Sequence, residues 1–118
     1  WRPIVDNNGK IYYIANPEKQ FDIYSNYKGV TKNVYSSQDD EWNPAIDPTD
    51  RWLIFSSKVN ESWNLILLDL KNNKFKMITT EVDDDWDSQF HPSGSMITFS
   101  RYNGDKTNIY GLCLFGEN

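Results

Sequence analysis

The sequence is short of most of what catalysis and metal binding use. Among 118 residues there is one cysteine, Cys113, and one histidine, His91. A single cysteine excludes an intrachain disulfide and the multi-cysteine zinc sites, and leaves the redox compartment open. Flanked by Leu112 and Leu114, Cys113 reads as a small buried hydrophobe. The six glycines are scattered singly, so no phosphate-cradling loop exists, and no G-x-S-x-G nucleophile motif is present. Basic residues are in the minority, 12 against 17 acidic ones, for a net charge of −5. A nucleic-acid backbone or an anionic membrane selects a basic surface, so neither is expected as a partner. No apolar run approaches the ~20 residues that span a bilayer, which argues against membrane insertion, and no basic-then-apolar leader opens the chain. Apolar spacing of three and four residues over a helical length is also missing, so almost no helix is expected.

What is present is a repeat. The stretch W-N-P-A-I-D-P-T-D-R-W-L-I-F-S-S from Trp42 returns 44 positions later as W-D-S-Q-F-H-P-S-G-S-M-I-T-F-S-R from Trp86. Pro48 falls on Pro92, Phe55 on Phe99, Ser56 on Ser100 and Asn64 on Asn108. The same unit starts at Trp1, with Pro3 and Asp6 matching Pro44 and Asp47; one deletion then places Ile11 and Tyr13 on Leu53 and Phe55, and Asp22 on Asn64. Within each unit, short apolar or alternating runs are separated by turn residues such as Asn7-Asn8-Gly9, Pro48-Thr49-Asp50 and Pro92-Ser93-Gly94. In the second unit the runs are Ala45 and Ile46, 52–57, 63–70 and 75–79. The third of these is almost wholly apolar, as in a strand buried on both faces.

Repeats of about 40 to 45 residues with four strands each are the signature of β-propeller blades. The expected fold is therefore all-β, with blades of four antiparallel strands at 1–41, 42–85 and 86–118. The last blade lacks its outer strand, so about 2.75 blades are expected from a ring of roughly six to eight. With P-A-I-D-P-T-D-R-W-L-I-F-S-S, F-H-P-S-G-S-M-I-T-F-S-R and the later N-I-Y, all three units resemble the blade motif of TolB-like β-propellers. In that motif Pro-x-Trp-Ser-Pro-Asp-Gly-Lys precedes an Ile-Ala-Phe strand. Here Val5, Ile46 and Phe90 replace the motif Trp, and Asp50 replaces the motif Gly in the second unit. The missing blades are expected from the same parent chain, from a second copy, or from a polypeptide that adds a strand to the open edge.

Seven of the acids fall in two equivalent clusters, Asp39-Asp40-Glu41 before Trp42 and Asp83-Asp84-Asp85 before Trp86 with Asp87 after it. They are expected on the loop entering each innermost strand, at one rim. Asp39, Asp40, Glu41, Trp42, Asp83, Asp84, Asp85 and Trp86 are the candidate binding residues. Clustered carboxylates suit Ca²⁺ or a basic partner segment, but D-x-D-x-D-G spacing is absent. The plainer reading is that these acids cap turns and keep an edge soluble, so no metal or other cofactor is required. Trp1, Trp42 and Trp86 could form a ledge for a peptide, sugar or cation, or simply pack between blades. Trp52 and Trp63 each occur once and read as dispensable to the repeat. His91 opens a turn and is read as structural.

No catalytic residues are assigned. The expected function is a non-catalytic binding or scaffold module with a protein, peptide or glycan partner. The resemblance implies a cell-envelope, periplasmic or secreted setting. It also supplies the alternatives. Similar propellers gate prolyl-oligopeptidase-like serine peptidases, whose catalytic residues sit in a separate domain, and a related propeller forms polysaccharide lyases with a metal held by several His and Gln side chains. A single His counts against the lyase.

Overall fold

Runs that alternate apolar and polar residues pair into three antiparallel meanders in a computed structural model, which describes residues 3–16, 20–37, 39–59, 61–80 and 83–115. The first sheet has the order β1 (Ile4–Val5), β2 (Ile11–Ala15), β3 (Asp22–Tyr27) and β4 (Val30–Tyr35). The second repeats it with β5 (Glu41–Ile46), β6 (Trp52–Val59), β7 (Ser62–Asp69) and β8 (Lys74–Met77). The third holds β9 (Asp84–Phe90), β10 (Met96–Tyr102) and β11 (Thr107–Cys113). Among the described residues every regular element is a strand, and the all-β blade architecture stands. The second and third sheets begin one and two residues before the Trp that opens each repeat unit.

The inner strands are longer than their apolar residues suggest. β5 starts at Glu41, well before Ala45, because the chain absorbs a β-bulge between Trp42 and Ala45. Asn43 takes a left-handed φ of 53° there, and Asp87, its equivalent on β9, one of 55°. A polar residue that tolerates this conformation reads as a turn in sequence, yet here it keeps the strand running past the bulge. The motif-Gly position behaves the same way. Gly9, Asp50 and Gly94 have φ of 87°, 63° and 81°. Asp50 thus adopts the left-handed geometry without being Gly, and its carboxylate accepts the Asn7 N–H at 3.0 Å and Asn7 Nδ2 at 3.0 Å from the neighbouring blade's turn.

Two apolar clusters lie between the sheets. Tyr12, Ile14 and Ile23 of the first meet Leu53, Phe55, Ile66 and Leu68 of the second. Ile54, Leu65 and Leu67, on the other face of the second, meet Ile97 and Phe99 of the third. The middle blade is therefore buried on both faces, as the continuous apolar run in β7 requires. Ile11 and Tyr13, repeat equivalents of Leu53 and Phe55, do not join these clusters. They face away from the second blade, Ile11 is 38% exposed, and Tyr12 and Ile14 supply that contact instead. Cys113 is exposed, correcting its reading as a buried hydrophobe. It shares the outward face of the third blade with Ile109, which is 71% exposed.

Phe55 is fully buried, with its ring 4.8 Å from that of Tyr35. Phe55→Ala is expected to cost roughly 3 to 5 kcal/mol in denaturant unfolding, since it leaves a cavity between two rigid sheets. Ile109→Ala, on the open face, should change stability by less than about 0.5 kcal/mol. Equal effects from the two would overturn the assignment of faces.

Candidate functional site

The two acidic clusters are built into the junctions between blades. Asp40 Oδ1 accepts the Phe21 N–H at 3.0 Å, and the Glu41 N–H donates back to the Phe21 carbonyl at 2.8 Å. One repeat on, Asp84 Oδ1 accepts the Trp63 N–H at 2.9 Å. Each carboxylate therefore fastens the entry to one blade onto the third strand of the blade before it. Aromatic rings close the same seam. Phe21 and Trp42 have centroids 4.7 Å apart, and Trp63 and Trp86 5.6 Å. Trp63 is thus the repeat equivalent of Phe21, not a residue the repeat does without. The signal was an aromatic at the entry to the third strand, in two different chemical forms. Trp42 and Trp86 are half-buried packing residues; Trp1 lies outside the described residues.

Glu41 and Asp85 occupy matching strand positions and are fully buried. Four of the clustered acids, Glu41, Asp84, Asp85 and Asp87, stand in the inner strands and not in loops as expected. The two buried acids are satisfied differently. Asp85 forms a two-pronged ion pair with Arg101 on β10, Nε to Oδ1 at 2.7 Å and Nη2 to Oδ2 at 3.1 Å. In the second blade the Arg101 position is Ser57, whose hydroxyl donates to Glu41 Oε2 at 2.9 Å, joined by the Ser37 hydroxyl at 2.7 Å. Burial, offset in part by these hydroxyls and reinforced by Asp22, pushes the Glu41 carboxyl up to about 8. Asp39, Asp40, Asp83 and Asp84 are half-buried. Among the described residues no group of three acid, His or Cys side chains is arranged to hold a metal ion.

His91 stands where the other blades have Asp6 and Asp47. Asp6 accepts the Asn8 N–H at 2.8 Å and Asp47 the Thr49 N–H at 3.2 Å. His91 Nδ1 accepts the Ser93 N–H at 3.0 Å. The ring nitrogen replaces a carboxylate oxygen in the same turn, which accounts for the histidine without chemistry.

A cleft of about 430 Å³ open to a ligand runs along the three inner strands, lined by Ile4 and Val5, by Asn43 to Ile46, and by Asp87 to Phe90. The two bulges deliver polar groups to it. Asn43 Nδ2 donates to Asp87 Oδ1 at 3.0 Å, and Gln89 is exposed. Ser88 Oγ is buried without a hydrogen-bond partner among the described residues. Neither Asn43 nor Gln89 was singled out in the sequence; the repetition of a polar residue after the blade Trp was the available sign.

Inner strands around a common cleft, with meanders running outward, leave one architecture. The chain has a TolB-like β-propeller fold. It superposes on TolB from Acinetobacter baumannii with a TM-score of 0.86 and 21% identity, over 96% of this chain and 29% of that one. Against a putative TolB from Agrobacterium tumefaciens the TM-score is 0.83 at 21% identity, over 92% of this chain and 43% of the other. The AtxE2 isopeptidase matches at 0.63 and 10% identity, over 86% of this chain and 20% of that one. No protein-family model and no curated protein matches the sequence. The chain spans less than half the length of either TolB structure.

Removing Arg101 strands a buried anion. Arg101→Met is expected to cost about 3 to 5 kcal/mol, and Asp85→Leu with Arg101→Met to restore most of it. A loss under about 1 kcal/mol in the single variant, by denaturant unfolding, would show that Asp85 is solvated in solution.

Proposed function

We propose that this chain is a non-catalytic binding module, part of a TolB-like propeller, which holds a protein or peptide segment along the cleft between its inner strands. One observation carries the reading. The acids and tryptophans of the repeat are engaged in fastening blades together, whereas the bulges at Asn43 and Asp87 place hydrogen-bonding groups into an open groove. An extended peptide suits such a groove, because it offers backbone donors and acceptors at regular spacing, and a basic one also suits the chain's net charge of −5. Asp39 and Asp83 precede Asn43 and Asp87 by four residues in sequence. No cofactor is needed. A cell-envelope or secreted setting follows from the resemblance alone. The remaining blades would come from the rest of a longer chain or from a second copy. A monomer by light scattering favours the first source and a stable dimer the second.

A second reading draws on the isopeptidase neighbour, since the same blade arrangement occurs within a peptidase chain. In that case the blades would gate a catalytic domain lying outside these residues, and a G-x-S-x-G segment elsewhere in the parent sequence would identify it.

Panning a displayed random-peptide library on the chain should enrich extended peptides bearing Lys or Arg. Binding of the winners should weaken at least tenfold in Asp87→Ala with Gln89→Ala, at unchanged melting temperature. Enrichment indifferent to those substitutions, or binding confined to oligosaccharides, would overturn the reading. Millimolar calcium is expected to leave the melting temperature unchanged. A rise abolished by replacing Asp83 and Asp84 with Asn would instead establish a cation site at the acidic loops.

A further inference from the structure

The two blade junctions solve one problem in two ways. At the second, Asn64 of the third strand, Asp85 of the inner strand and Arg101 of the next strand occupy the seam, and the single negative charge meets a guanidinium. At the first, the same three positions hold Asp22, Glu41 and Ser57. Two carboxyl groups replace one, and the cation is gone. Asp22 is 8% exposed and Glu41 is fully buried. The Glu41 carboxyl lies within hydrogen-bonding reach of Asp22, yet Glu41 Oε1 receives no hydrogen bond among the described residues. Ser37 and Ser57 both serve Oε2, and Gln20 Nε2 donates to Asp22 Oδ1 at 3.2 Å. Two ionised carboxylates in contact and out of water repel strongly. One proton between them removes that repulsion and supplies the missing bond.

We propose that Asp22 and Glu41 share a proton across the first blade junction, making that junction a pH-sensitive latch that holds while the proton is bound and is strained once it leaves. Among the described residues the surroundings offer no other compensation. The acids on or beside the elements packed against Glu41 are Asp6 after β1, Asp39 and Asp40 in the preceding loop, Asp47 after β5, Asp83 before β9, and Asp84, Asp85 and Asp87 on β9, with Asp85 already paired to Arg101. Lys58, the cation on β6, has an exposed side chain, and among the described residues no cation bonds to Glu41. The phenols packed around it are Tyr12 and Tyr13 on β2, Tyr24 and Tyr27 on β3 and Tyr35 on β4; burial raises the Tyr12 phenol to about 12, and burial and then Glu41 itself raise that of Tyr35.

The sign of the effect follows from linkage. Below the ordinary carboxyl value of 4.5 both folded and unfolded chains hold the proton, and the latch contributes fully. Between there and about 8 the folded chain keeps a proton that the unfolded chain has lost, so stability falls as pH rises. Above about 8 the folded chain ionises too, and the whole contribution is gone.

The test is the folding equilibrium of wild type and Glu41→Gln, measured by denaturant unfolding from pH 5 to 9, alongside a ¹³C titration of the Glu41 carboxyl. The ratio of the two folding constants should fall about tenfold per pH unit through the middle of the range. The carboxyl should titrate far above the ordinary carboxyl value of 4.5, and Asp22→Asn should bring it down. Asp22→Asn with Ser57→Arg, which copies the second junction, should abolish the pH-dependent loss. A Glu41 carboxyl titrating in the ordinary range, or a constant ratio across pH, would overturn the proposal. So would destabilisation of the wild type by EDTA at pH 7, because a bound cation rather than a proton would then hold the pair.

Discussion

A blade of this chain is apolar on both faces, and that constraint governs the rest. β7 runs Leu65-Ile66-Leu67-Leu68 without a polar break, with Ile66 and Leu68 turned to the first sheet and Leu65 and Leu67 to the third. A lone meander of this kind would expose a row of large side chains on at least one side, at roughly 25 cal/mol for each Å² of apolar surface left in water. Stability therefore resides between blades as much as within them. The middle sheet has both neighbours and holds the fully buried Phe55, Leu53, Ile54 and Leu65. Exposed large side chains lie on the outer sheets, Ile11 and Val30 on the first and Ile109 and Tyr110 on the third, and on the outermost strand of the middle one, Phe75 and Met77.

The same dependence explains the polar seams. Two sheets packed face to face leave strand ends whose backbone groups must find partners. Asp40 and Asp84 meet the N–H groups of Phe21 and Trp63, and paired aromatic rings cover the contact. These acids cluster in sequence for that reason. Their density looks like a ligand site when depth is invisible, because sequence shows charge but not which charge the neighbouring blade covers.

Periodicity made the strands, their order and the blade count readable, since each is a local property repeated in register. Which face of a strand meets which neighbour was not readable. Leu53 and Ile11 are equivalents in the repeat, yet one faces a blade and the other has none beside it. The cleft was hidden for a different reason. Asn43 and Asp87 look like turn formers, and only the pairing of β5 with β6 and β9 with β10 shows them as bulges inside continuous strands. Asp50 and His91 were legible as departures from the blade motif. Their roles were not, because a carboxylate and an imidazole can fill the same acceptor position in a turn.

Function in a repeat fold is better sought where the copies differ than where they agree. Positions where the second and third units agree, the opening Trp, the Pro of the turn and the strand Phe, serve the blade and carry no information about a partner. One such difference lies at the junctions. The first junction carries Asp22, Glu41 and Ser57 where the second carries Asn64, Asp85 and Arg101, on the same backbone frame. The arginine arrangement shows that the frame accepts a fully compensated acid. The other arrangement leaves an oxygen without a bond at neutral pH unless a proton supplies one. A scaffold that needed only rigidity is already provided with the better solution one blade away. The weaker one makes sense where a junction has to respond to its surroundings, which a purely structural blade never does.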